Sequence, residues 1–294
     1  MKILGGIMQT GKIVKALAGF YYVKSDGIVY QTRARGIFRK RKESPLVGDI
    51  VDFEADNVKE GTITHIHPRK NSLVRPQVAN VDQLLITVSI KNPDFSFYLT
   101  DRFLAYSESN HITPILIVTK NDLNDDEELI KKIKETYDMY DVYFTEKDTV
   151  NESLKDIFPD KLSVLAGQTG VGKSTLLNTL LPNLNLETNE ISEKLNRGKH
   201  TTRHVELIDK NNGQIADTPG FSTIDFTHID KEALRFYFKE FNVFLDDCKF
   251  RGCVHINEPK CAVKDAVNNG DIKESRYNSY LQIYEEMTNY KERY

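Results

Sequence analysis

Eight consecutive residues, Gly167-Gln168-Thr169-Gly170-Val171-Gly172-Lys173-Ser174, constrain this chain more than any other segment. An apolar run that reads as a buried strand, Leu162 to Ala166, precedes them, and a helical pattern from Thr175 to Leu181 follows. Strand, glycine-rich loop and helix in that order predict a phosphate loop. Its glycines let backbone N–H groups wrap the phosphates, and the helix N-terminus adds its positive end. Lys173 reaches the β and γ phosphates, and Ser174 ligates magnesium. Apolar strand candidates recur at Val81 to Ile90, Pro114 to Val118, Val142 to Phe144, Val205 to Ile208 and Gln214 to Ala216, separated by helical patterns, which indicates an α/β sheet.

The loop does not choose between adenine and guanine, but a second motif does. Thr119-Lys120-Asn121-Asp122 stands at the end of the strand Ile115 to Val118. The Asp122 carboxylate can accept from guanine N1–H and N2–H together, a donor pair adenine lacks, while Lys120 lays its stem on the base. Asp217-Thr218-Pro219-Gly220 fits D-x-x-G, in which Asp217 holds magnesium through water and the Gly220 N–H meets the γ phosphate. Gly198-Lys199-His200-Thr201-Thr202-Arg203 reads as a first switch loop, with Thr202 as magnesium ligand and Thr201 as the alternate. Thr145-Glu146-Lys147 is a weak counterpart of an S-A-K base loop. In Ras-like proteins the phosphate loop comes first and the base motif late. Here Asp122 precedes Gly167 and D-x-x-G comes last, so the G domain is circularly permuted. Residues 146 to 161, with Leu154, Ile157 and Phe158 at helical spacing, are expected to join the former termini. The new break leads from Phe221 to Asp230 straight into the C-terminal region.

A chain of 294 residues has room for more than this, at about 150 residues per domain. Residues 1 to 77 carry 14 Lys and Arg against 7 Asp and Glu, in a chain whose net charge is -3. Five short alternating stretches there (Gly11 to Leu17, Phe20 to Val23, Ile28 to Ala34, Asp49 to Glu54, Gly61 to Ile66) predict a small β-barrel of the OB type. Arg33 to Lys42 holds six cations and no acid, with Phe38 interleaved and Tyr21, Tyr22 and Tyr30 nearby, a groove-and-platform composition suited to RNA. After residue 231 the pattern is helical, at Lys231 to Val243, Ala262 to Asn269 and Lys273 to Tyr290. Cys248-x4-Cys253-x-His255-x5-Cys261 interrupts it. Three thiolates and one imidazole within fourteen residues predict a closed structural zinc site, with no position left open to water. The domain boundaries expected are 1–77, 78–228 and 229–294. No apolar run approaches the ~18 residues of a membrane helix, and the N-terminus is too interrupted for a secretory signal, so a cytoplasmic location without membrane contact is expected.

T-K-N-D, G-Q-T-G-V-G-K-S, R-G-K-H-T-T-R and D-T-P-G-F in this permuted order, behind a basic barrel and ahead of C-x4-C-x-H-x5-C, resemble the RsgA (YjeQ/YloQ) family over nearly the whole chain. The resemblance implies an OB-fold, a permuted P-loop GTPase domain and a helical zinc-binding domain. It also implies GTP hydrolysis to GDP stimulated by the small ribosomal subunit, contact with its rRNA, and a role in late maturation of that subunit. A monomer is expected. Phe221 stands where Ras-type enzymes place a water-orienting glutamine, so intrinsic hydrolysis should be slow, and His200 beside the switch threonines is the candidate to orient water. Two other readings stay open, a GTP-dependent RNA-holding scaffold with little turnover and a switch for a protein partner. Intact Lys173, Ser174, Thr202 and Asp217 argue against an inert site.

Overall fold

The structure, a computed structural model, describes residues 7–41, 43–147, 149, 152–180, 205–221, 224–227 and 229–291, with the backbone alone at residues 7, 39, 152, 217–221, 290 and 291. Two compact units interleave along the chain. Met1–Gln83, Glu152–Leu165 and Asn183–Phe221 make one, and Leu84–Asn151, Ala166–Pro182 and Ser222–Tyr294 the other.

In the first unit, β1 (Ile7–Leu17), β2 (Phe20–Ser25), β3 (Ile28–Ala34), β4 (Ile50–Asn57) and β5 (Glu60–Ile66) pair in the closed ring 1-2-3-5-4-1. Only the β3–β5 pairing is parallel, and the other four are antiparallel. That is the Greek-key barrel of an OB-fold. After it β6 (Ser72–Leu73) and β7 (Val78–Ala79) pair antiparallel. Period-two alternation turns Val51, Phe53 and Ala55 of β4 inward, where they meet Ile13, Val23 and Ile63 in a buried core. Helix α1 (Gly36–Lys40) follows β3 and buries Phe38. This ring is therefore core packing and not the stacking platform expected from the sequence. Lys42 and the Arg39 side chain lie outside the described residues. Cation–aromatic pairs do occur on the strands, with the Arg33 guanidinium 4.5 Å from the Phe20 ring and Lys15 Nζ 5.9 Å from Tyr22.

Strand β1 is long enough to take part in two structures. Its N-terminal half closes the barrel on β4, and its C-terminal end pairs antiparallel with β12 (Val205–Lys210), Lys15 opposite Glu206. β12 turns into β13 (Gly213–Phe221), which lies beside β11 (Leu162–Ala166). Lys12 to Gln214 at 2.9 Å, Lys15 to Glu206 at 2.9 Å and Lys24 to Asp209 at 2.6 Å join barrel and hairpin further. Among its described residues the joining segment forms a short 3-10 turn, Glu152–Lys155; of the three residues at helical spacing Leu154 and Phe158 are buried and Ile157 is half-buried.

In the second unit β8 (Gln83–Ser89), β9 (Thr113–Thr119) and β10 (Asp141–Phe144) are successive neighbours, with β9 and β10 parallel. Every residue of β8 is buried, as in a strand covered on both faces. Helix α2 (Phe97–Ser109) connects β8 to β9, and the Ser96 hydroxyl caps it by accepting from the Leu99 N–H. Helix α3 (Glu127–Thr136), capped by Asp126, connects β9 to β10. Helix α4 is Lys173–Leu180. Lys231 to Val243, expected as one helix, forms two 3-10 helices, Lys231–Tyr237 and Lys239–Val243. Extended backbone at Phe238 breaks it, and the break lets Phe238 stack on Phe241 at 5.3 Å and meet Tyr280 edge-on at 5.4 Å. Helices α5 (Ala262–Asn269) and α6 (Glu274–Lys291) follow. Fully buried Arg276 of α6 ties these to α2, with Nη1 2.6 Å from Asp101 Oδ1 and Nε 2.6 Å from Glu240 Oε1. Burial alone would lower the Arg276 pKa, but Asp101 and Glu240 more than offset it, so the guanidinium stays charged.

Candidate functional site

The phosphate loop leaves β11 at Gly167 and enters α4 at Lys173, with Ser174 and Thr175 in the helix's first turn. Gly167 has φ +143°, and a Cβ there would stand 2.1 Å from the carbonyl oxygen of Thr87 in β8, so only glycine lets the loop pass this close. Gly172, at φ +94°, makes the turn into the helix. Gln168, Thr169, Gly170 and Val171 lie between them. Lys173 Nζ donates to the loop's own carbonyls, Gly167 O at 2.7 Å and Gln168 O at 2.5 Å, and burial lowers its pKa to about 8.

The Thr119-to-Asp122 segment is tied to this loop by two side chains. Thr119, at the end of β9, directs its hydroxyl to Val171 O at 2.5 Å, with Val88 O at 3.1 Å. Lys120 adopts a left-handed backbone, φ +59°, and its Nζ donates to Gly170 O at 2.8 Å and to Asn92 O. Base-motif and phosphate-loop residues are thus held as one body. Asp122 exposes its carboxylate and accepts from the Lys147 N–H at 3.1 Å, while the Asn121 N–H donates to Thr145 O at 3.0 Å. The weak counterpart loop, Thr145 to Lys147, is therefore beside the motif. Sequence reasoning missed Asn92 and Pro93. Pro93 Cδ would be 3.7 Å from a Cβ on Gly170. An Asn-Pro pair signals a turn, and nothing in it signals that its carbonyl serves a lysine far along the chain. His200, Thr201, Thr202 and Arg203 lie outside the described residues. Asp217 and Gly220 fall on β13, where backbone alone is described.

The second cluster is complete. One ligand atom from each of Cys248, Cys253, His255 and Cys261 lies within 4.8 Å of the others. His255 Nδ1 is 3.2 Å from Cys261 Sγ and 3.7 Å from Cys248 Sγ, and the two sulfurs are 4.0 Å apart. Zinc–sulfur bonds of about 2.3 Å at tetrahedral angles put ligand atoms about 3.5 to 3.8 Å apart, so the set fits one tetrahedral zinc. Burial, with Arg235 next, lowers the His255 pKa to about 4 and keeps the imidazole neutral, the form that ligates. Outer contacts fix the knuckle. Tyr277 donates to His255 O at 2.6 Å, Tyr280 to Val254 O at 2.5 Å and Arg235 to Cys253 O at 2.7 Å, while Glu258 accepts from the N–H groups of Val254 and Ile256.

The family model described as RsgA GTPase matches residues 66–227, and that of the RsgA N-terminal domain residues 10–63. The chain belongs to the RsgA GTPase family. It is a GTP hydrolase with a circularly permuted G domain. A Staphylococcus saprophyticus protein, "Small ribosomal subunit biogenesis GTPase RsgA", is 51% identical over 292 residues, 98% of this chain and all of the relative. A Bacillus subtilis protein of the same name is 51% identical over 300 residues, again 98% of this chain and all of the relative. Among solved RsgA-type structures, YloQ, described as a circularly permuted GTPase, has 44% identity, a TM-score of 0.83 and 98% coverage of both chains. YjeQ from Thermotoga maritima has 35% identity and a TM-score of 0.85, covering 96% of this chain and 99% of its own. No helix among the described residues is long and apolar enough to cross a membrane.

Proposed function

We propose that this RsgA-family GTPase acts in biogenesis of the small ribosomal subunit, binding its rRNA, and that the bound subunit stimulates GTP hydrolysis. The observation that carries the reading is identity extending end to end to relatives named for that role, so that the match spans barrel, G domain and metal knuckle. Residues 1–77 serve as the RNA-binding domain, 78–228 as the G domain and 229–294 as the zinc domain. GTP and GDP lie along Gly167 to Thr175, with Lys173 on the β and γ phosphates and Asp122 on guanine. Thr119, Lys120 and Asn121 shape the base subsite. Ser174, Thr202 and Asp217 are the residues that would hold magnesium, and the Gly220 N–H would face the γ phosphate. Magnesium neutralises phosphate charge when bound; zinc at Cys248, Cys253, His255 and Cys261 is structural. His200 orients the attacking water and Thr202 supports it. The protein works in the cytoplasm as a monomer.

Arg33, Arg35, Lys40 and Arg41, all exposed, are the barrel cations to test. Their joint replacement by Gln should reduce the slope of log affinity for purified small subunits against log salt, by roughly 0.7 to 0.9 for each phosphate that is no longer neutralised. Sedimentation binding across a salt series measures it. An unchanged slope would remove the barrel from the RNA contact.

A further inference from the structure

Strand β8 ends at Ser89, and the turn that follows leads to Ser96, the cap of α2. The turn belongs to no nucleotide motif, yet it is pinned along its length to Thr119 and the residues after it. The Ile90 N–H donates to Thr119 O at 3.0 Å, and the Thr119 hydroxyl donates to Val88 O at 3.1 Å. Lys120 Nζ donates to Asn92 O, and Lys91 Nζ pairs with Asp125 Oδ2 at 2.5 Å. Ser89 closes the turn. It is 2% exposed, and its hydroxyl donates to Pro93 O at 2.6 Å.

Asn92 lies between the two residues that this last bond joins, so Ser89 helps to fix where the Asn92 carbonyl stands. Lys120 depends on that placement. A lysine carries its ammonium on a flexible four-carbon stem, and here two carbonyls hold it, Asn92 O of the turn and Gly170 O of the phosphate loop. Ordering a contact group in advance strengthens binding, because association then carries less of the ordering cost. The Lys91–Asp125 pair ties the same turn to the residues beyond Asp122. Its side chains are 38% and 72% exposed, so it contributes less than the bond from buried Ser89. We propose that Ser89 and the Lys91–Asp125 pair are positioning residues for guanine nucleotides, holding the turn so that Lys120 stays aligned and nucleotide release is slowed, given that Lys120 and Asp122 form the base subsite proposed above.

Release of a fluorescent GDP into excess unlabelled GDP, followed in the full-length, zinc-loaded protein with magnesium, reads this. Ser89→Ala removes a hydrogen bond with a buried donor and should speed release about threefold to tenfold. Lys91→Gln should speed it about twofold, and the exchange of Lys91→Asp with Asp125→Lys should restore the original rate, because the pair acts through its own bond. A second readout separates positioning from a general loosening of the site. Inorganic tripolyphosphate competes for the phosphate loop and has no base, so its affinity should be unchanged in each variant while that of GDP falls. If Ser89→Ala fails to fold or loses zinc, Lys91→Gln and the charge exchange decide. Unchanged release in the folded variants, a parallel loss of tripolyphosphate, or faster release in Lys91→Gln that the exchange does not restore would overturn the proposal. Asp122→Asn is the reference. GDP affinity that falls there while release from Ser89→Ala is unchanged overturns the positioning role alone, whereas GDP affinity unchanged by Asp122→Asn overturns the base subsite and the positioning role with it.

Discussion

The choice of base is proposed for Asp122, whose exposed carboxylate accepts from the Lys147 N–H. Asp122→Asn turns one acceptor into a donor, which should cost roughly 2 to 4 kcal/mol of GTP binding and shift preference toward XTP, whose O2 accepts. Competition binding of the two nucleotides checks this, and unchanged GTP affinity would remove the assignment. Lys173 supplies a pH signature. Burial holds its pKa at about 8, and phosphate oxygens beside the ammonium would raise it, so binding takes up a proton wherever the free lysine is partly neutral. At pH 8 the uptake should be about half a proton per chain, with affinity flat well below pH 8 and falling as pH rises above it. Calorimetry in buffers of different ionisation enthalpy measures the uptake; heats independent of buffer at pH 8 would contradict it.

Elements set by local pattern fall where the sequence puts them. Ile28–Ala34 alternates between turns and is β3, and Ala262–Asn269, closed by Gly270 at φ +84°, is α5. The phosphate loop and metal knuckle are legible because backbone and ligand chemistry leave few residue choices. Other features depend on distant contacts. The β3–β5 and β1–β4 pairings close a ring that no single strand encodes, and the break at Phe238 arises from aromatic contacts with Tyr280, far along the chain. Phe38 escapes a reading by composition because a cationic run hides the one apolar residue that its short helix buries. Metal removal probes the knuckle as an element. Cys253→Ser should bring zinc, by elemental analysis, from one per chain to near none. It should lower the melting temperature of the Cys248-to-Cys261 region, whose carbonyls hold Tyr277 and Tyr280, while leaving GDP affinity nearly unchanged. Native protein that binds no zinc would end that reading.

Permutation gives the whole molecule its logic. D-x-x-G comes last among the nucleotide motifs, so its strand opens directly into the zinc-bearing region, while β12, in the same hairpin, pairs with barrel strand β1. The chain around the second switch is thus bonded to the barrel on one side and continues into the metal domain on the other. On this account both appendages report to the hydrolytic site. Under the proposed function the isolated enzyme, with Phe221 in place of a water-orienting glutamine, is expected to be slow, and docking to position a group such as His200 without new affinity for GTP. His200→Ala should keep GTP and subunit binding but lose most of the stimulated rate. Single-turnover GTP hydrolysis with and without purified small subunits, at one salt concentration and with large subunits as control, tests the whole account. It predicts roughly 10² to 10⁴-fold acceleration by small subunits alone, the range that positioning and charge stabilisation supply. Equal rates with and without small subunits, under conditions where sedimentation shows the protein bound, would contradict it.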